Sequence, residues 1–308
     1  MQNLRSIKEK RNNFILGDAL RVLKTLPSNS IDAIIFSPPY YKKRDYGHKQ
    51  QWGQETTSQE YLEKLVMFCA YCYRVLKPTG NLLINIDDKY NTSCNAAGGK
   101  RHSKGFKRSS AIKEVPYKSL FGIPQRFVAM MLLHPCKWIY REDIIWHKPN
   151  PMTESVKNRC TRAHEPIFHF TKTDKYYWGK KEIETETKGS GHDLRSRVSR
   201  KRFPTQLVNG MRKSGYYPTA NARSVWRIPV QPSKIKYYAK MPDEVARRLV
   251  LAGCPKDGLI LDPFCGVGTT CVQAIKHGRN FIGVDLVKES IQIAKELCTP
   301  YLNQLKLF

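Results

Sequence analysis

Long apolar runs are missing from this 308-residue chain. None approaches the roughly 18 residues that a membrane span needs, so a membrane partner is not expected. The first residues, Met1 to Asn13, are polar and lack the apolar stretch of a secretory signal. Cysteine is sparse and odd in number, nine in all. That argues against a disulfide framework or a structural zinc site and reads as reduced thiols in a cytoplasmic setting. Acidic residues are outnumbered: 26 Asp and Glu stand against 53 Lys and Arg, for a formal net charge of +27. An excess of this size predicts a polyanionic partner, most simply nucleic acid, and with it a nucleoid-associated protein. Hydrophobic residues make up 41% of the chain, enough to build the core of one large domain or two modest ones. No internal repeat is visible.

What is present is an alternation of strand and helix signals. Asn13 to Ser30 reads as strand, Gly-Asp turn, short helix and polar turn, and Ile31 to Phe36 as the next strand. Ser58 is placed to cap a helix that runs to a Pro78/Gly80 stop, and Asn81 to Ile86 is again a strand. Such β-α-β-α-β order predicts a parallel sheet with helices on its faces. The pattern then breaks. Residues 95 to 118 carry seven Lys/Arg against one acid and read as a basic loop. After a helical stretch (Pro124 to Leu133) and a strand-like one (Trp138 to Lys148), residues 171 to 224 hold 13 Lys/Arg against five acids. Tyr176, Tyr177, Trp178, Phe203, Tyr216 and Tyr217 interleave with those cations. Charge mixed with aromatics suits phosphate and base contacts. Alternation resumes at Pro242 with helix, strand, helix, strand and a last helix from about Val287 to Leu305. Three segments follow: 1–170, an insert at 171–224, and 225–308.

Two strand ends carry chemistry. The strand Leu259 to Asp262 runs into Pro263-Phe264-Cys265-Gly266-Val267-Gly268 and opens a helix at Thr269-Thr270. Glycine lets a backbone approach a ligand where a Cβ would obstruct it. The third glycine of the dinucleotide fingerprint is missing. The following strand ends on Asp285, an acid placed to bind ribose hydroxyls, and Asp262 beside the turn disfavours pyrophosphate and favours a cationic ligand. The other end is Ser37-Pro38-Pro39-Tyr40. Proline lacks an N–H and fixes φ, so strand pairing stops there on a stiff, outward-pointing end.

Together these stretches resemble the DNA amino-methyltransferases, which use S-adenosylmethionine. The cofactor motif D-P-F-x-G-x-G-T-T is matched at every fixed position, and the catalytic motif (D/N/S)-P-P-(Y/F/W) at Ser37 to Tyr40. Catalytic motif first, recognition region second and cofactor glycines last is the permuted order of the family's β group. The resemblance spans most of the chain. It implies a doubly wound, mostly parallel Rossmann-like α/β sheet in circularly permuted order, with one antiparallel strand pair and an inserted DNA-recognition region. It also implies that Asp262, Phe264, Cys265, Gly266 and Gly268 line the methionine part of the cofactor, with Thr269 and Thr270 opening the helix. Asp285 would take the ribose hydroxyls and Asp18 would lie near the adenine. Ala239 and Pro242 belong to the segment that closes over the cofactor, where Met241 departs from the family's aromatic. The stretches "IIWHKPNP" and "RAHEPIFHFTK" are similar to the segment ahead of the recognition region.

The opening strand end then acquires a purpose. An exocyclic amino nitrogen is a poor nucleophile because its lone pair is delocalised into the ring. Ser37 Oγ and the Pro38 carbonyl can accept its hydrogens and draw it toward tetrahedral geometry, the prolines keeping both acceptors preorganised. Tyr40 would stack on a base flipped from duplex DNA. The basic residues expected on DNA are Lys100, Arg101, Lys104, Lys107 and Arg108 in one segment, and Arg195, Arg197, Arg200, Lys201 and Arg202 in the other. Ser-Pro-Pro-Tyr belongs mostly to the cytosine-N4 enzymes of the family, with adenine-N6 as the alternative. A cytosine-C5 enzyme would need a nucleophilic cysteine, and Pro135-Cys136 lies upstream of the glycines, so Cys136 reads as structural. An RNA or protein amide methyltransferase usually carries its glycines first, and a non-catalytic DNA-binding module leaves two intact motifs unexplained. His147, His164 and His169 fit no tight ligand spacing, so no metal is expected. A cognate restriction endonuclease, and a monomer or a homodimer, are compatible with all of this.

Overall fold

The computed structural model describes residues 10–92, 112–186, 219–231 and 240–305. The strands are β1 (Asn13–Leu16), β2 (Ile31–Phe36), β3 (Leu76–Asn85), β4 (Ile139–His147), β5 (His164–Thr171), β6 (Thr185–Glu186), β7 (Thr219–Ala220), β8 (Val225–Arg227), β9 (Leu259–Asp262) and β10 (Asn280–Asp285). The helices are α1 (Ala19–Thr25), α2 (Ser58–Val75), α3 (Ile123–Leu133), α4 (Asp243–Gly253), α5 (Thr269–Lys276) and α6 (Lys288–Leu305). The chain divides into two compact units, residues 1–179 with 224–308, and residues 180–223. In the second, β6 pairs with β7 in antiparallel sense, and the Thr219 hydroxyl donates to Glu184 at 2.6 Å.

The first unit is built on an eight-stranded sheet in the order β1-β10-β9-β2-β3-β5-β4-β8. β1, β10, β9, β2 and β3 are mutually parallel. β5 runs against both β3 and β4, while β4 and β8 are parallel. The mostly parallel α/β sheet expected from the alternation is therefore present. One reversed strand between two others makes two antiparallel pairings instead of the single pair expected. His164 to Thr171 is that strand, and its run Ile167–Phe170, apolar but for the buried His169, suits a strand covered on both faces.

Alternate residues of the central strands face opposite layers. Ile34 and Phe36 of β2 and Leu259 and Leu261 of β9 join the core under α1, α2 and α3. Ala33, Ile35 and Ile260 join the core under α4, α5 and α6. Helices on both faces make the sheet doubly wound. Connections from β9 lead to β10 on one side and from β2 to β3 on the other. The crevice at such a switch point, beyond the carboxyl ends of the strands, is where α/β folds hold ligands.

Some local expectations shift. Thr57, not Ser58, caps α2: its side chain accepts from Glu60 N–H at 3.1 Å and Glu60 reciprocates, a complete capping box. The helix ends at Val75, and β3 starts at once with Leu76, because Lys77 to Gly80 are recruited into the strand. Cys69 and Cys72 form a C-x-x-C spacing on α2, yet both are fully buried and burial pushes both thiols up. They are core residues. No helix among the described residues is long and apolar enough to cross a membrane.

Candidate active site

Six strands deliver their ends to one edge of the sheet. β1 is followed by Gly17 and Asp18, β2 by Ser37 to Tyr40, β4 by Lys148, and β3, β9 and β10 end on Asn85, Asp262 and Asp285. The reversed β5 brings its opposite end, with Glu165, to the same edge. All of these residues line a single cleft of about 280 Å³.

On one side of the cleft lies the glycine turn. Gly266 adopts φ 51° and donates its N–H to Asp285 Oδ2 at 2.9 Å. Asp285 Oδ1 accepts from Val287 N–H at 2.8 Å. The same carboxylate thus shapes the turn and stands at the cleft wall. Phe264 packs against Phe36, Trp52 and Phe68 with centroids 5.1 to 5.5 Å apart. Cys265, Thr269 and Thr270 are buried at the cleft wall. Asp18 lines the cleft too, while its side chain caps α1 by accepting from Arg21 N–H at 2.8 Å.

Gly268 is placed differently from the expectation. It is not on the cleft wall. A Cβ there would stand 2.8 Å from the Ala294 Cβ of α6, at φ 79°. Its missing side chain allows α5 to pack on α6, a packing reason for a glycine at this position. Pro242 is likewise buried at the start of α4, and Lys240 and Met241 line the cleft in its stead. Ala239 lies outside the described residues, as do Lys100, Arg101, Lys104, Lys107, Arg108, Arg195, Arg197, Arg200, Lys201 and Arg202.

Two acids sit beside the glycine turn. Burial pushes Asp262 up to about 7, with the nearby Asp285 charge adding to it and the Thr270 hydroxyl and Phe264 N–H opposing. Burial also raises Asp285. A carboxyl raised above its unfolded value favours the folded state at low pH, and that contribution disappears as pH rises through the folded value. Asp262→Asn is therefore expected to raise stability by about 1–2 kcal/mol at pH 5 and by about 4 kcal/mol at pH 8, because the penalty grows from the unfolded value up to the folded one. Urea unfolding at the two pH values reads this directly, and equal effects at both would remove the buried charge as the cause. A wild-type chain that keeps a costly carboxylate here is equipped for a cation.

On the other side lies the strand end. Tyr40 is half-buried, and its hydroxyl is 2.8 Å from Glu165 Oε2 and 3.0 Å from Asn85 Oδ1. Ser37 Oγ donates to the Tyr40 oxygen at 3.0 Å. Asn85 Nδ2 donates to the Pro166 carbonyl at 3.1 Å, which fixes the amide with its oxygen toward Tyr40. Lys148 forms an ion pair with Glu165 Oε1. Lys43 pairs with Asp87 and stands 5.0 Å from the Tyr40 ring centroid. Burial, and then the Glu165 and Asp87 carboxylates, hold the Tyr40 phenol well above its ordinary value, so it stays protonated.

The roles of Asn85, Lys148 and Glu165 were not visible in the sequence, although an acid opening an apolar strand, Glu165 before Pro-Ile-Phe, is a usable signal. Cys136 lies off the cleft against the α2 side of the core, with its thiol raised by burial. His169 is a core residue: its Nε2 lies 2.7 Å from Asn81 Oδ1 and its ring stacks on Trp178 at 4.7 Å. Burial, aided by Arg141, lowers it to about 3.

Comparison with known proteins bears on what this cleft does. The family described as DNA methylase matches residues 31–296. The type II methyltransferase M.Cfr9I of Citrobacter freundii is 36% identical over 283 residues, 90% of this chain and 84% of that protein. M.SmaI of Serratia marcescens is 34% identical over 299 residues, 96% of this chain and 91% of that one. Among solved structures, the PvuII DNA methyltransferase (cytosine-N4-specific) superposes with a TM-score of 0.60 at 18% identity, covering 95% of this chain and 92% of its own. A putative DNA modification methylase of Thermus thermophilus, complexed with S-adenosyl-L-methionine, gives 0.56 at 24% identity, covering 94% of this chain and 93% of its own.

Proposed function

The chain belongs to the DNA methylase family, and we propose that it moves a methyl group from S-adenosylmethionine to the exocyclic N4 of a cytosine flipped out of duplex DNA. The observation that carries this reading is the shared cleft. The Ser37–Tyr40 strand end and the Gly266 turn follow β2 and β9, which are neighbours in the sheet, so an amino group and a methyl donor can meet between them. When bound, S-adenosylmethionine supplies an electrophilic methyl group on a cationic sulfur. Asp262 and Asp285 suit that charge, and Gly266 leaves its backbone approachable. Ser37 and the Pro38 carbonyl accept hydrogens from the target amino group. The Tyr40 ring offers a stacking surface on the face that Lys43 leaves.

Assignment to the permuted β group follows from the order of the two motifs about the 171–224 segment. That segment and the basic residues 100–108 are the readers of the DNA in this proposal. Lys43 and Lys148 line the cleft too but are engaged by Asp87 and Glu165, which leaves Arg44 as the cleft residue that adds a phosphate contact in this reading. The type II relatives support a cognate restriction endonuclease as the biological partner.

The neutral Ser37 acceptor, and a cytosine-N4-specific fold neighbour, favour cytosine over adenine. Methylation of duplex DNA with labelled cofactor, followed by digestion and chromatography of the nucleosides, tests this. Label is expected in N4-methyl-2′-deoxycytidine. Label in N6-methyl-2′-deoxyadenosine would move the base and keep the mechanism, whereas label in 5-methyl-2′-deoxycytidine would demand a covalent cysteine and end it.

A further inference from the structure

Four side chains behind the strand end form one directional chain. A serine hydroxyl works as an acceptor for an amino group only if its own proton is engaged elsewhere. Ser37 donates to the Tyr40 oxygen at 3.0 Å. That oxygen is free to accept because the Tyr40 proton has its own destination. Of its two acceptors, Glu165 Oε2 at 2.8 Å belongs to the carboxylate that Lys148 pairs with and is nearer than the Asn85 amide oxygen at 3.0 Å. Hydrogen bonds to an ionised partner are the stronger ones. Lys148 holds the other oxygen of that carboxylate, and Glu165 is buried. The order is therefore Ser37 to Tyr40 to Glu165, with Lys148 closing the end.

We propose that Glu165, secured by Lys148, is the end of a proton path that sets Ser37 as an acceptor and takes up the proton released by methyl transfer. This rests on the amino-methylation reading above. The amino nitrogen forms its bond to the methyl carbon as the carbon–sulfur bond breaks, and the sulfur keeps that electron pair. The nitrogen is left cationic and must lose one N–H proton. That proton passes to Ser37 Oγ, the Ser37 proton passes to Tyr40, and the Tyr40 proton passes to the Glu165 carboxylate. Serine and tyrosine end neutral, and glutamate ends protonated beside Lys148. Tyr40 stays a phenol before and after, in keeping with its raised titration. Glu165 touches no substrate in this scheme and acts through the two residues ahead of it.

Glu165→Gln and Tyr40→Phe interrupt the path at different links. Each is expected to lower the single-turnover methylation rate about 10²-fold, the lower end for loss of a proton acceptor. S-adenosylmethionine affinity by calorimetry should stay within about twofold of wild type. Because the links are in series, the double variant should be no slower than the slower single one. Tyr40→Phe keeps the ring and the packing, so it carries the test if Glu165→Gln does not fold with Lys148 unpaired. A double variant slowed by the product of the two factors would mean independent roles and overturn the path. Either single variant at the wild-type rate would do the same. A wild-type chain that places no label on DNA would instead overturn the amino-methylation reading itself, and the path with it.

Discussion

Ser37→Ala is expected to slow single-turnover methyl transfer by about 10²–10³ while cofactor binding stays nearly unchanged. Loss of one preorganised hydrogen bond at a reacting centre has that magnitude. Ser37 is only half-buried, its hydroxyl has Tyr40 as its partner, and the core residues of β2 are its predecessors. Its removal leaves Tyr40 with Glu165 and Asn85, so the local structure keeps its remaining bonds. The glycine turn and Asp285 lie at the other side of the cleft and share no hydrogen bond with Ser37 among the described residues. Rapid-quench rates with labelled cofactor and calorimetry on the same preparation separate the two effects. Turnover at the wild-type rate would reduce Ser37 to a strand end.

Affinity for duplex DNA should fall by about 10³–10⁵ between 50 and 200 mM salt. That drop corresponds to roughly six to ten phosphates neutralised by Lys and Arg. A net charge of +27 supplies the cations, and the ten named residues in the 100–108 and 195–202 segments are the proposed source of most contacts. Converting Arg195, Arg197, Arg200, Lys201 and Arg202 to Gln should shrink the slope of log affinity against log salt by up to about five. Fluorescence anisotropy with a labelled duplex measures it. An unaltered slope would move the phosphate contacts to the residues at the cleft mouth, such as Arg44.

Much of the sheet was legible because local signals and tertiary fate agree. Ile31 to Phe36 is apolar almost without interruption because both faces of β2 are covered. The turn after β9 announces itself by Gly266 and by an acid 19 residues on, and the two prove to be hydrogen-bonded. Contacts that join distant segments were not legible. Glu165 meets Tyr40 across 125 residues, through a strand whose reversal no local pattern encodes. A second reason for Gly268 was hidden in the same way. Two residues past Gly266 it reads as a ligand approach, and the structure adds that a side chain there would meet Ala294, on a helix formed later in the chain. Asn85 sits at the end of an apolar run and could as well have been a strand terminator.

The sheet order has a consequence for how the chain is made. β1 and β2 are close in sequence, yet two strands from the far end of the chain lie between them. Among the described residues β1 pairs with β10 alone, Asn13 opposite Ile282. During synthesis the first strand waits, with no strand partner, until nearly the whole chain has emerged. Pairings of such long sequence separation pay their loop-closure entropy late and form slowly. Until β9 arrives, β2 also exposes the edge that β9 will occupy, a template for pairing with other chains. The aggregation-sensitive interval of this protein is thus the time between synthesis of β3 and synthesis of β10.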